Sequence, residues 1–254
     1  MTTAIKIILT LTFAITLVCV CCMAMADEVS TVIFSDNGLY TPIDGVAFEG
    51  RVLKISQPGE YVLMGELTDG QIAVDCAEDG RVTLVLSGVR VHNEHGPAIL
   101  IGHCAPRLEI SLAKQTENVL SDGKNLMFTD GDEPNGVIFS SSDLTINGSG
   151  NLSITSGAMD GIVSKDDLKI EGGEISVISA RHGIRGKDFV QISGGTIRIA
   201  AAGDGIKSTN KNDPDRGWVE ISGGYISIQC GDEAIQAVTG CRIQEAVVEF
   251  LVKK

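Results

Sequence analysis

Residues 160–177 read Asp160-Gly-Ile-Val-Ser-Lys-Asp-Asp-Leu-Lys-Ile-Glu-Gly-Gly-Glu-Ile-Ser-Val, and 182–199 read His182-Gly-Ile-Arg-Gly-Lys-Asp-Phe-Val-Gln-Ile-Ser-Gly-Gly-Thr-Ile-Arg-Ile. The second stretch is the first moved on by 22 residues. A third copy opens at Asp204-Gly-Ile-Lys-Ser, is interrupted around Asn210 to Arg216, and resumes as Trp218-Val-Glu-Ile-Ser-Gly-Gly-Tyr-Ile-Ser-Ile. Upstream, Val137-Ile-Phe-Ser-Ser-Ser-Asp-Leu-Thr-Ile-Asn-Gly-Ser-Gly fits the same frame with two extra residues. A fixed period of this length is the mark of a stacked-repeat architecture.

Inside each copy the apolar positions alternate. Leu168, Ile170, Ile175 and Val177 match Val190, Ile192, Ile197 and Ile199, then Val219, Ile221, Ile226 and Ile228. Period two puts one face of a strand inward. The pairs Gly172-Gly173, Gly194-Gly195 and Gly223-Gly224 separate two short strands each time, as turn glycines do. A coil of about 22 residues is too long for a hexapeptide β-helix and carries no helical segment for a leucine-rich repeat, and a propeller blade needs about 40. The expected fold is all-β: a right-handed parallel β-helix solenoid. Residues 27–70 are expected to form an N-terminal cap and first coils, 71–237 the coils, and 238–254 a terminal coil. There Cys241, Ile243, Val248 and Phe250 keep the inward register while Glu245-Ala246 replaces the glycine pair.

The wider composition agrees. Of 254 residues 43% are hydrophobic and 4% aromatic, with 30 Gly and 6 Pro. That is too apolar for a disordered chain and lacks the Gly and Pro periodicity of collagen. A net charge of −13 argues against a nucleic-acid partner. Residues 1–26 read as a signal peptide: Lys6, an uncharged run from Ile7 to Val20, then Ala24-Met25-Ala26 as a cleavage site. The expected location is extracellular, freely secreted or attached at the cell surface, with no transmembrane segment in the mature chain. Cys19, Cys21 and Cys22 leave with the leader. Cys76, Cys104, Cys230 and Cys241 remain, as buried thiols or in one of three disulfide pairings.

Stacking converts the repeat into chemistry, because equivalent side chains of adjacent coils lie about 4.8 Å apart. One row holds Asp160, His182, Asp204 and Glu233. Another holds Asp166, Asp188 and Asn210, beside Asp143 and Asp167. Like charges at such spacing repel, and calcium, which takes six to eight oxygens at about 2.3–2.6 Å, would reconcile them. Asp143, Asp160, Asp166, Asp167, Asp188 and Asp204 are therefore the candidate calcium ligands, against a simpler reading in which each Asp caps a turn. His182 fits the turn row better than a metal shell, and Asn210 to Arg216 reads as a solvent loop. Lys165, Lys187, Lys207 and the outward Tyr225 are candidate ligand contacts. Lys165 and Lys187 would also be the candidate bases if the chain were a lyase.

The strings Ser-Ser-Asp-Leu-Thr-Ile-Asn-Gly-Ser-Gly (141–150), Asp-Gly-Ile-Val-Ser-Lys-Asp-Asp-Leu-Lys-Ile (160–170), Gly-Asp-Gly-Ile-Lys-Ser (203–208) and Ile-Ser-Gly-Gly-Tyr-Ile-Ser-Ile (221–228) resemble a family of secreted microbial carbohydrate-binding domains. That resemblance spans roughly 60–240 and implies a right-handed parallel β-helix similar in fold to family 9 pectate lyases, binding calcium and acidic plant polysaccharides. His182 stands where Asp is usual in the family, and the C-terminal coils are fewer. The implied role is calcium-dependent, non-catalytic binding of polygalacturonate-like polysaccharide or of cellulose. A calcium-dependent polysaccharide lyase and a ligand-free structural or adhesive solenoid are the alternatives.

Overall fold

A computed structural model describes residues 29–40, 42–124 and 133–251, apart from the side chains of 77–79 and 103–107. The leader reading over 1–26 lies outside the described residues. Those residues form an all-β chain of twenty-three strands.

From Leu144 onward the pairing is regular. Each strand pairs in parallel with the strand three further along the chain, which builds three ladders. The first contains Leu144–Gly148, Asp167–Ile170, Phe189–Ile192, Trp218–Ile221 and Gly240–Ile243. The second contains Asn151–Thr155, Glu174–Ser179, Thr196–Ala201, Tyr225–Cys230 and Val247–Phe250. The third contains Gly136–Ser140, Asp160–Ser164, Ile184–Gly186, Ile206–Ser208 and Ile235–Gln236. This order is that of a β-helix-like solenoid. Upstream the long strands Gln71–Asn93 and Ile99–Leu112 continue the ladders. Residues 29–70 add two antiparallel pairings, Phe34 opposite Leu39 and Val46 opposite Ile55.

The register is the one the apolar period requires. Ile162, Ile184 and Ile206 stack on one another and are fully buried, as are Leu168, Val190 and Val219. Each glycine pair meets two separate demands. Gly173, Gly195 and Gly224 take φ of 94°, 91° and 86°, where a side chain is strained. A Cβ on their partners Gly172, Gly194 or Gly223 would lie 2.6, 2.5 or 2.3 Å from a carbonyl oxygen of the coil below.

The last coil holds the expected register, with Cys241 opposite Val219, Ile243 opposite Ile221, and Phe250 opposite Ile228. Its apolar side chains are nonetheless exposed, Phe250 to 57%, because no described strand stacks on them.

Candidate functional site

The acidic residues sit at the corner between the third ladder and the first. A small hydroxyl makes that corner possible. The buried Ser164 donates from Oγ to the carbonyls of Ser142 and Asp167 and accepts from the Asp166 amide at 3.1 Å. Ser140 and Ser208, also buried, bond backbone oxygens in the equivalent corners. The corners are then tied to one another by backbone bonds, Asp188 N to Asp166 O at 3.2 Å and Gly217 N to Asp188 O at 2.7 Å. The Asp167 amide donates to Asp143 Oδ1 at 3.1 Å.

This stacking brings Asp143, Asp166 and Asp167 together, each offering a carboxylate oxygen within 4.8 Å of the others. Asp188 lies alongside. The electrostatic consequence is graded. Burial, the hydrogen bond shared with Asp188 and the neighbouring carboxylates push Asp166 up to about 6. Burial and Asp143 hold Asp167 above its ordinary value as well. Burial would raise Asp188 too, but hydrogen bonds from Asn210 and Asp166 and the charge of Arg216 bring it below the ordinary carboxylate value. Asp166 therefore holds its proton to higher pH than Asp188 does, and the two titrate as a pair.

The insertion expected to be a solvent loop supplies this counter-charge. Asn210 is buried and donates from Nδ2 to Asp188 Oδ1 at 2.5 Å. Its own Oδ1 accepts from the Asn212 and Asp213 amides, which fixes the loop's first turn. Arg216 at the loop's end then reaches back over the corner, where Nη1 contacts Asp188 and lies 3.3 Å from Asp166, with Nε 3.4 Å from Asp213. The loop is a built part of the acidic corner. The sequence showed where the insertion begins, but gave no sign that its last residue points inward.

The other acidic row is a separate construction. Asp160 accepts from the His182 amide at 3.0 Å, His182 Nδ1 accepts from the Asp204 amide at 3.0 Å, and Asp204 accepts from the Glu233 amide at 3.0 Å. Each side chain caps the backbone of the next coil. Buried Asp160 is neutralised by Arg185 at 2.8 Å, with Arg181 3.8 Å away, and Asp204 by Lys207 at 2.8 Å. His182 is lowered chiefly by burial, which favours the neutral ring with Nδ1 as acceptor. Among the described residues the metal-competent group is Asp143, Asp166 and Asp167, and it includes neither Asp160 nor Asp204.

The candidate ligand contacts are scattered. Lys165 pairs with Glu133 at 2.5 Å, and Lys187 is exposed. Lys207 is held by Asp204. Tyr225 is outward, as expected, and donates to Glu249 at 2.6 Å.

A family model described as carbohydrate-binding domain-containing protein matches residues 49–253. The chain belongs to that family. A relative with the same description, from Acetivibrio thermocellus, is 44% identical over 212 residues, spanning 83% of this chain and 74% of the relative. A solved structure described as the polysaccharide lyase-like protein from C. thermocellum, a gadolinium derivative, is 38% identical with a TM-score of 0.83. It covers 87% of this chain and 90% of its own. This carbohydrate-binding domain protein therefore has a polysaccharide lyase-like all-β fold. Among its described residues no helix is long and apolar enough to cross a membrane.

Proposed function

We propose that the chain is a secreted right-handed parallel β-helix of the family 9 pectate lyase kind, which holds acidic, pectin-like polysaccharide through calcium and does not cleave it. The observation that carries this reading is the cluster of Asp143, Asp166 and Asp167 in a carbohydrate-binding domain. The donor set fits the cation. All three offer hard carboxylate oxygens within 4.8 Å of one another, and calcium ligands on opposite sides of the ion lie about 5 Å apart. The related C. thermocellum structure is described as a gadolinium derivative, and gadolinium is likewise a hard, oxygen-seeking cation. Handedness follows the strong right-handed bias of crossovers between parallel strands.

When bound, calcium supplies positive charge that both the protein's carboxylates and a uronate carboxylate can share. Asp143, Asp166 and Asp167 would hold it, and the Asp167 amide fixes the orientation of Asp143. Absence of cleavage is supported by the lysines. Lys165 and Lys207 spend their ammonium groups on Glu133 and Asp204, and Lys187 is exposed, so none sits in a closed site positioned as a general base.

Retention of the purified protein on polygalacturonate beads, with calcium or with EDTA, tests the reading. Calcium-dependent retention without an ultraviolet-absorbing unsaturated product is expected. Retention in neither condition overturns it, and an unsaturated product converts the protein into a lyase.

A further inference from the structure

The acidic row does not end at Asp167. In the first ladder Asp167 lies opposite Phe189, Phe189 opposite Trp218, and Trp218 opposite Gly240. Leu144 opposite Leu168 puts Asp143 at the row's other end. Asp143, Asp167, Phe189 and Trp218 each precede a buried inward residue, so they face outward, and Phe189 and Trp218 are partly exposed. Carboxylates therefore run directly into two stacked aromatics, at about 4.8 Å per coil. Gly240 makes room for the second ring: a Cβ there would sit 2.4 Å from Trp218 Cζ3, so the indole lies across the Gly240 backbone.

No other two aromatics pair in register among the described residues. Phe34, Tyr61 and Phe139 are buried, and Tyr225 is tied to Glu249. In a chain with one Trp, three Tyr and seven Phe, an outward in-register pair is not a by-product of aromatic abundance. Two residues further along the same strands, the next outward row reads Thr145, Lys169, Gln191, Glu220 and Arg242. Glu220 is engaged by Gln191 at 3.4 Å and Arg242 at 3.6 Å. Lys169 makes no ion pair among the described residues.

We propose that these two rows are the glycan platform: a polyuronate chain lies along them, stacks sugar faces on Phe189 and Trp218, and presents a carboxylate to Lys169. The inference rests on the polysaccharide-binding reading above and names where that binding occurs. Large, rigid aromatic faces suit the apolar face of a sugar ring while the indole N–H remains a donor. Lys169 supplies the cation that an acidic ligand needs on a surface otherwise rich in carboxylates. The row's Asp143 and Asp167 end coincides with the calcium cluster, so one extended ligand meets stacking, a lysine and the cation site in sequence.

Trp218 is the chain's single tryptophan, so its emission reports on the platform directly. Oligogalacturonate titrated in calcium is expected to change that emission saturably. Trp218→Ala and Lys169→Gln should each weaken retention on polygalacturonate by about tenfold, the effect of losing one good contact, while leaving the calcium-induced thermal shift intact. Lys169→Gln, at an outward, half-buried position, guards against misfolding in the tryptophan variant. Wild-type retention with unchanged Trp218 emission, and with both variants retained normally, overturns the platform but leaves the binding function standing. A cello-oligosaccharide that changes the emission where oligogalacturonate does not overturns the acidic ligand. Failure of the wild type to be retained at all overturns the function reading itself.

Discussion

Asp166→Asn is expected to stabilise the protein in the absence of metal while weakening its response to calcium. The carboxyl sits at about 6 rather than 3.8, which at full value would cost about 3 kcal/mol to ionise at neutral pH. Its side chain is 46% exposed, and solvent screening reduces the cost to about 1 kcal/mol. The 3.3 Å contact with Arg216 is lost, but an exposed pair is worth only a few tenths of a kcal/mol, and Arg216 retains Asp188. The sign follows from linkage. The folded carboxyl lies above its unfolded value, so the fold disfavours the charged form. The cost is absent below about pH 4, grows as pH rises through 6, and is complete above it. Thermal melts in EDTA should place the variant about 2–4 °C above wild type at pH 7 and level with it at pH 4. Excess calcium should reverse the order, because wild type gains about 2.7 kcal/mol at a hundredfold excess over Kd and the variant has lost a ligand. A variant that melts below wild type at pH 7 in EDTA refutes the reasoning, since Asp166 would then be a stabilising turn residue.

Three further outcomes test the surroundings of that corner. Ile184→Ala empties a fully buried site between Ile162 and Ile206 and should cost about 2–5 kcal/mol, read as a lower urea midpoint with the slope unchanged. Arg216→Gln removes the resident cation from Asp188; calorimetry should find tighter calcium binding than in wild type, and a melt in EDTA at low salt should find a less stable protein. His182 is lowered by burial, so the fold favours its neutral form, and the stability this contributes is present above about pH 6.5 and is lost as pH falls below it. His182→Asn, which keeps an acceptor for the Asp204 amide, should melt higher relative to wild type at pH 5 than it does at pH 7, the Asp166 dependence being common to both.

The fold was legible because it depends on quantities a sequence displays. The period of 22 and the two-residue alternation fix which residues stack, and the three ladders confirm that register at Ile162, Ile184 and Ile206. The glycine pairs were legible for the same reason, although their two members answer different demands, a left-handed φ and a close carbonyl. The candidate site was legible only by row. Alignment predicted that Asp143, Asp166 and Asp167 would neighbour one another, and they do. It also offered Asp160 and Asp204 as candidate ligands, and they lie outside that group. There the deciding partners, Arg185 and Lys207, stand three or more residues away and reach the carboxylates by side-chain length and rotamer, which spacing does not encode. Arg216 escaped notice because it lies outside the repeat, and a repeat-based reading treats an insertion as surface.

The same distinction explains where the chemistry gathers. Positions that obey the repeat bury Ile, Leu and Val or cap the next coil's amides, and they are spent on stability. At the acidic corner the Asp row passes into Phe189 and Trp218 instead of continuing as Asp, and the inserted loop delivers a cation between two coils. A pure Asp row would carry repulsion along its whole length, growing with every coil. Replacing its upper members with aromatics confines the carboxylates to a cluster small enough for one cation to balance, and leaves apolar rings on the adjoining surface. Solenoid stacking by itself would make each row uniform. A row that changes from acid to aromatic within two coils, beside a lysine without an ion pair among the described residues, serves contact with something outside the chain.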